Sequence, residues 1–110
     1  MNTDNKSTSV ANNTSGLVEY SDNSIISKQL IKKDGGTITL FAFDKTQSLS
    51  EHTVSFDAFV QVIDGNAEFI VGGNSVIVSK DEFIILPSNI PHAVNAIEKF
   101  KMLIVMIKNK

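Results

Sequence analysis

With 110 residues, 42% of them hydrophobic, the sequence has the length and composition of one globular domain with its own hydrophobic core. All ten basic residues are Lys and the formal net charge is −2, so the bidentate Arg donors that suit phosphate are missing, which argues against nucleic-acid binding. Cysteine is absent, which excludes disulfides and thiolate chemistry.

The N-terminal region is polar and carries no targeting or membrane signal. Residues 1–15 are mainly Asn, Ser, Thr and Asp, and they offer almost no apolar surface to offset the entropy cost of ordering. We therefore expect a disordered tail over residues 1–15 and a single domain over residues 16–110. No apolar run is long enough to cross a membrane and no secretory signal is recognisable, so a cytoplasmic protein without membrane contact is the default expectation.

From residue 17 onward, short runs rich in Ile, Val, Phe and Thr alternate with Gly, Asn, Asp and Pro, as in short strands joined by tight turns. In chain order the candidate strands are GLVEY, SIISKQLIK, GTITLFAF, FDAFVQVI, AEFIVGG, SVIVS, EFIILP, HAVNAIE and KMLIVMIK. The turn sequences DGG at 34–36, DGN at 64–66 and GGN at 72–74 contain residues that tolerate positive φ and predict hairpins. This pattern predicts an all-β protein with a closed or sandwiched antiparallel sheet.

Several candidate strands are apolar on both faces. FIIL at 83–86 and MLIVMI at 102–107 are apolar at every position, and FDAFVQVI carries apolar residues in both alternating sets. A strand of this kind is normally covered on both sides. We therefore expect a homodimer in which N-terminal strands cross to the partner subunit. The alternative is that the segment from Leu17 to Leu30 covers the outer face of the sheet within one chain.

The only two histidines, His52 and His92, lie in the apolar segments SEHTVSFDAFVQVIDG and ILPSNIPHAV. From about Thr37 to Ile107 these segments and their spacing resemble a single-domain cupin, a small jelly-roll barrel of two antiparallel sheets. The first cupin motif, aligned here, has its first histidine at His52 and its closing glycine at Gly65, with its opening glycine, second histidine and glutamate at Thr46, Val54 and Ala58. The second motif has its proline at Pro87 and its histidine at His92, with its two glycines and terminal asparagine at Asp81, Asn89 and Ala96.

The resemblance implies a metal position that has lost donors. Cupins typically hold one divalent metal on three histidines and the glutamate, and only His52 and His92 of those four positions can coordinate here. Divalent transition metals usually require three or four donors from the chain. We therefore expect at most weak binding of Zn, Fe, Ni or Mn by His52 and His92. Glu51 and Asp57 are the nearest carboxylates, but strand alternation points them away unless a bulge intervenes.

The resemblance also implies where a ligand would bind. His52 and His92 should converge at the open end of the barrel, in a pocket that includes Val54, Ala58 and Val60. The leading hypothesis is a small-molecule binding or sensing domain. Two alternatives stay open, a metal-dependent cupin enzyme of dioxygenase or isomerase type using His52 and His92 as ligands, and a structural dimer with a filled barrel.

Overall fold

The chain folds into nine β-strands in two antiparallel sheets, as seen in a computed structural model that describes residues 9–109. The strands are β1 (Ile25–Lys33), β2 (Gly36–Phe43), β3 (Ser48–His52), β4 (Phe56–Asp64), β5 (Asn66–Val71), β6 (Asn74–Ser79), β7 (Phe83–Leu86), β8 (His92–Asn95) and β9 (Phe100–Lys108). One sheet has the order β1-β2-β9-β4-β7 and the other the order β3-β8-β5-β6. This double-sheet jelly roll confirms the predicted all-β fold.

Two parts of the chain differ from the expected strand assignment. GLVEY forms no strand: a 3-10 turn over Thr14–Gly16 leads into bends instead. Conversely, β3 was not among the candidate strands, because SLSEH has a single apolar residue, Leu49. It forms an edge strand that pairs only with β8, so it does not need the apolar pattern of a buried strand.

The three predicted turn sequences have two different roles. DGG joins β1 to β2 and GGN joins β5 to β6, and both are antiparallel hairpins. DGN instead carries the chain from β4 in one sheet to β5 in the other, so the hairpin prediction was wrong there. Gly65 has a φ of +71°, and a Cβ at this position would overlap the carbonyl oxygen of Lys99, so only glycine fits.

The core lies between the two sheets and is built by period-two alternation. Along β4, Ala58, Val60 and Val62 face inward and are buried, while Phe59 and Gln61 between them are only partly buried. The largest side chains with 0% exposure include Phe43, Phe69 and Phe100, and the rings of Phe43 and Phe100 are stacked with centroids 4.5 Å apart. The part of the inner face around Phe43 and Phe100 is therefore close-packed.

The segment before β1 packs on the outer face of the five-stranded sheet. Val18 is buried there against Leu40 and Ala42, with Leu17 and Tyr20 beside it. Residues 1–8 of the predicted disordered tail lie outside the described residues; residues 9–14 are exposed and Ser15 is half-buried. No helix within residues 9–109 has both the length and the apolar character needed to cross a bilayer.

Candidate functional site

A cavity of about 350 Å³ lies between the two sheets. Its walls are mainly aliphatic and aromatic, with a few polar side chains. The lining residues are Gln29, Thr37, Thr39, Phe41, Leu49, His52, Val54, Ala58, Val60, Phe69, Leu86, His92, Val94, Met102, Ile104 and Met106. This volume falls at the small end of the range of about 300 to 1,000 Å³ that ligand pockets occupy.

Strand register places these side chains in rows across the five-stranded sheet. Thr37, Met106 and Ala58 are successive cross-strand partners on β2, β9 and β4. Thr39, Ile104 and Val60 form the next inward row. Because side chains two residues apart share a face, both rows point into the cavity.

The two histidines meet at one end of this cavity. His52 on β3 and His92 on β8 are Cα partners, and their ring centroids are 4.5 Å apart with an interplanar angle of 63°. His92 is 6% exposed, whereas His52 lies on the exposed edge strand. The structure thus brings together side chains that are distant in the sequence.

A bulge in β3 makes this convergence possible. Leu49 pairs with Val94 and His52 with His92, so three residue steps on β3 oppose two on β8. Without the extra residue, Leu49 and His52 would point to opposite faces of the sheet. With it, both side chains line the cavity.

Both imidazoles are oriented by the backbone. Nδ1 of His52 lies 2.8 Å from the carbonyl oxygen of Ser50, and Nδ1 of His92 lies 3.3 Å from that of Ile90. A carbonyl oxygen can only accept, so each Nδ1 carries the hydrogen when the ring is neutral. Each Nε2 is then left with a free lone pair, and neither has a hydrogen-bond partner among residues 9–109.

The environment of His92 favours the neutral ring. Burial lowers the pKa of His92, and the neighbouring His52 lowers it further, while the hydrogen bond to the carbonyl of Ile90 acts in the opposite direction. A neutral imidazole is the form that accepts a hydrogen bond or binds a metal ion.

The donor set does not fit a cupin-type divalent metal. Val54 and Ala58 present only methyl groups to the cavity, and no cluster of three or more His, Cys, Asp or Glu side chains within residues 9–109 could hold an ion. Asp57 accepts a hydrogen bond from the backbone N–H of Ser88 at 2.9 Å, and neither Asp57 nor Glu51 lines the cavity. Two nitrogens alone leave a divalent shell incomplete.

The glycine positions of the cupin motifs keep their backbone shape although three of them hold other residues. Thr46, Asp81 and Asn89 have φ values of 76°, 73° and 63°, in the left-handed region that favours glycine. Each donates its backbone N–H to a carbonyl oxygen far away in the sequence. Thr46 donates to Ala96 at 2.8 Å, Asp81 to Val62 at 2.7 Å, and Asn89 to Val54 at 2.8 Å. These bonds hold the loops in the shape that the motif requires.

Comparison with known proteins agrees with this geometry. A family model described as a cupin domain matches residues 39–108. The chain therefore belongs to the cupin family, which confirms the resemblance inferred from its motifs. No functionally curated protein matches the sequence.

Solved structures give the same result. A conserved protein of unknown function from Streptococcus pyogenes is 29% identical with a TM-score of 0.89, over 93% of this chain and 90% of that one. A cupin 2 conserved barrel domain protein from Leptotrichia buccalis is 43% identical with a TM-score of 0.84; the match covers 86% of this chain and 46% of that longer protein. A cupin superfamily protein from Desulfitobacterium hafniense, 24% identical with a TM-score of 0.82 over 86% of each chain, shares the fold.

The five residues expected in a pocket, His52, Val54, Ala58, Val60 and His92, all line the cavity. Sequence reasoning missed the wall formed by β1, β2 and β9. That wall includes Gln29, Thr37, Thr39, Met102 and Met106. The alternation of Thr37, Thr39 and Phe41 was a usable signal for a shared face, but only the register shows that this face meets Ala58 and Val60.

Proposed function

We propose that this cupin domain binds a small, largely apolar organic molecule in the cavity, with a polar group of that molecule at the histidine pair. The observation that carries this proposal is the combination of apolar walls with two Nε2 lone pairs that have no partner among residues 9–109. A ligand hydroxyl or N–H could donate to them.

The chemistry of the walls supports an apolar body and a polar end. Val60, Phe69 and Leu86 offer no hydrogen bonds, so a strongly polar ligand would lose its hydration there without compensation. At the other extreme, a ligand without any polar group would offer no hydrogen bond to the Nε2 of His92. A small ring compound with one hydroxyl satisfies both conditions.

Phenol and toluene, added to metal-free protein, form a matched pair of probes for this proposal. Phenol should shift the imidazole NMR signals of His52 and His92 and raise the melting temperature. Toluene should bind more weakly, because it fills the same space without donating a hydrogen bond. If neither probe perturbs the histidine signals at millimolar concentration, the proposal is wrong.

Two variants locate the binding. Val60→Phe fills the cavity and should abolish the phenol effect, whereas Phe83→Ser changes the outer face of the same sheet and should leave it intact. Equal phenol binding by Val60→Phe and the unmodified protein would place the probe outside the cavity.

We also propose that the chain forms a homodimer through the outer face of the five-stranded sheet. Phe83, Ile85 and Ile107 are 58%, 49% and 58% exposed there, and Phe83 stacks on Phe59 with centroids 5.0 Å apart. A second copy of the chain, related by a two-fold axis, would remove this exposed apolar surface from water.

Light scattering at micromolar concentration tests the dimer. The unmodified chain should have twice the monomer mass, and the double variant Phe83→Ser with Ile85→Ser should be monomeric with its β-sheet circular dichroism unchanged. A monomer mass for the unmodified chain would refute this proposal and leave the cavity proposal standing.

A further inference from the structure

The cavity has a polar part that lies outside the cupin motifs. Gln29 on β1 and Thr37 and Thr39 on β2 line it. Thr37 and Thr39 share the inward face because they are two residues apart, and Gln29 is the cross-strand partner of Thr39. These three side chains therefore form one polar patch at one side of the five-stranded sheet.

The polar patch is free to bind a ligand. Within residues 9–109, none of its three side chains forms a hydrogen bond. Gln29 is exposed, and Thr37 and Thr39 are half-buried. A threonine hydroxyl and a glutamine amide each carry a donor hydrogen, so the patch can donate to an acceptor such as a carbonyl oxygen.

The polar patch lies on the same side of the sandwich as the histidine pair. Only residues 44–47 connect β2 to β3, so the chain passes directly from one sheet to the other there. At the opposite side, residues 80–82 connect β6 to β7 in the same way. These two short connections set β1 and β2 across from β3, and β7 across from β6.

The positions along the strands agree with this arrangement. Thr39 is four residues before the end of β2 at Phe43, and His52 is four residues after the beginning of β3 at Ser48. Because the chain reverses its direction between these strands, Thr39 and His52 lie at a similar distance from the connection. Packed sheets are about 10 Å apart, and the cavity between them is large enough for one small ring compound.

The cavity wall becomes apolar away from this side. The row that begins with Thr39 continues through Ile104 on β9 to Val60 on β4. In the facing sheet, Phe69 lines the cavity from β5, which is separated from β3 by β8. A bound ring would therefore have polar groups of both sheets at one side and apolar side chains at the other.

Charge narrows the class of ligand. None of the cavity-lining residues within residues 9–109 is Lys, Arg, Asp or Glu, and burial favours the neutral form of His92 by lowering its pKa. A carboxylate or an ammonium group would lose hydration here without gaining an ion pair. The carbonyl of an amide or a ketone is an uncharged acceptor and avoids that cost.

We propose that the ligand is a neutral ring compound with two polar groups, a hydroxyl that donates to the histidine pair and a carbonyl that accepts from the polar patch. This inference rests on the small-molecule function proposed above and specifies the chemical class of the ligand. Gln29, Thr37 and Thr39 are then residues that determine specificity.

Three related ring compounds test this class on the full chain by calorimetry. The compound meta-hydroxybenzamide carries the hydroxyl and a neutral carbonyl, meta-hydroxybenzoate carries a carboxylate instead, and phenol lacks the second group. The amide should bind about 3- to 10-fold more tightly than phenol, which is the gain from one neutral hydrogen bond. The carboxylate should bind at least about 10-fold more weakly than the amide, because its charge finds no partner in the cavity.

Variants assign the gain to the polar patch. The triple variant Gln29→Met, Thr37→Val and Thr39→Val removes the donors with little change in shape, and it should bind the amide no more tightly than phenol. Its phenol affinity should equal that of the unmodified protein, which also shows that the variant is folded. Gln61→Met is the matched control, because Gln61 lies on β4 between the inward-facing Val60 and Val62, and it should retain the preference for the amide.

Three results would overturn the inference. They are equal affinity of the unmodified protein for the amide and phenol, equal affinity for the amide and the carboxylate, and an undiminished preference for the amide in the triple variant. In each of these cases phenol binding leaves the small-molecule proposal standing. If none of the three compounds binds, both proposals are wrong.

Discussion

The two faces of the five-stranded sheet are both apolar, but they have different surroundings. On the inner face Phe43 has 0% exposure, because the four-stranded sheet closes over it. On the outer face Phe83 is 58% exposed although it is an equally large aromatic residue. Apolar composition therefore identifies surface that benefits from burial, while the arrangement of the second sheet determines which of it becomes core.

The outer face itself divides into a covered and an open part. At one end Tyr20 lies on the sheet, where its hydroxyl donates to Asp64 at 2.6 Å, and the ammonium of Lys101 donates to the carbonyl of Ser15 at 2.6 Å. Burial, followed by the bond to Asp64, raises the pKa of Tyr20, so its hydroxyl stays protonated at neutral pH. At the other end Phe83 and Ile107 remain exposed.

The largest expected effect comes from restoring metal donors on the inner face. Val54→His with Ala58→Glu completes a set of three histidines and one carboxylate around the cavity, so zinc affinity measured by calorimetry should rise by orders of magnitude. The matched control is Phe59→His with Gln61→Glu, which places the same residue types on the outward face of β4 and should add no comparable affinity. Similar zinc binding by the two double variants would contradict the difference between the faces.

Aromatic truncation should separate the faces by stability. Phe43→Ala removes a fully buried ring and should lower the free energy of unfolding by about 3 to 5 kcal/mol. Phe83→Ala removes a ring that is already largely hydrated and should cost less than about 1 kcal/mol in the monomer. Urea unfolding at low protein concentration measures both, and equal losses would show that the outer face is as closely packed as the inner one.

The covered end of the outer face should depend on the hydroxyl of Tyr20. Tyr20→Phe keeps the ring but removes the bond to the Asp64 carboxylate, so the free energy of unfolding should fall by about 1.5 kcal/mol. Asp64→Asn tests the same bond from the other side. A double-mutant cycle should give a coupling energy well above zero, and strictly additive losses would mean that the bond contributes nothing to stability.

The smallest expected effect is a pH dependence from His92 on the inner face. Burial lowers the folded-state pKa of His92, so as pH falls the unfolded chain binds this proton first. Stability from the neutral ring is therefore complete above about pH 6.5 and is lost as pH falls from there through the lower folded-state value. Denaturant midpoints should show this loss, and His92→Phe should remove it; an unchanged pH profile in that variant would assign the effect to other groups.

Much of the fold could be predicted because a short strand has a local sequence pattern, the alternation of apolar and polar residues. Alternation in FDAFVQVI marked Ala58, Val60 and Val62 as one face, and this face is buried. The polar strand SLSEH and the apolar segment GLVEY were assigned wrongly for the same reason. At the edge of a sheet, or on its outer face, pairing and packing with distant residues decide the structure more than local pattern does.

The candidate site was predictable only in part. Spacing in the two motifs indicated His52 and His92, and the structure places their rings together. Motif spacing could not indicate the bulge in β3 that turns His52 inward, nor the pairing of Met106 with Ala58. Both depend on hydrogen bonds between strands that are far apart in the chain.

Residue types and their alternation along the chain already specify an all-β protein with more apolar faces than one core requires. The tertiary structure decided which face became core, and it holds Thr46, Asp81 and Asn89 at positive φ through bonds to distant carbonyls. The two kinds of information differ in the sequence distance over which the deciding interactions act. Side-chain alternation follows from the geometry of a single strand, whereas register, coverage and the meeting of His52 with His92 follow from contacts between strands brought together only by folding.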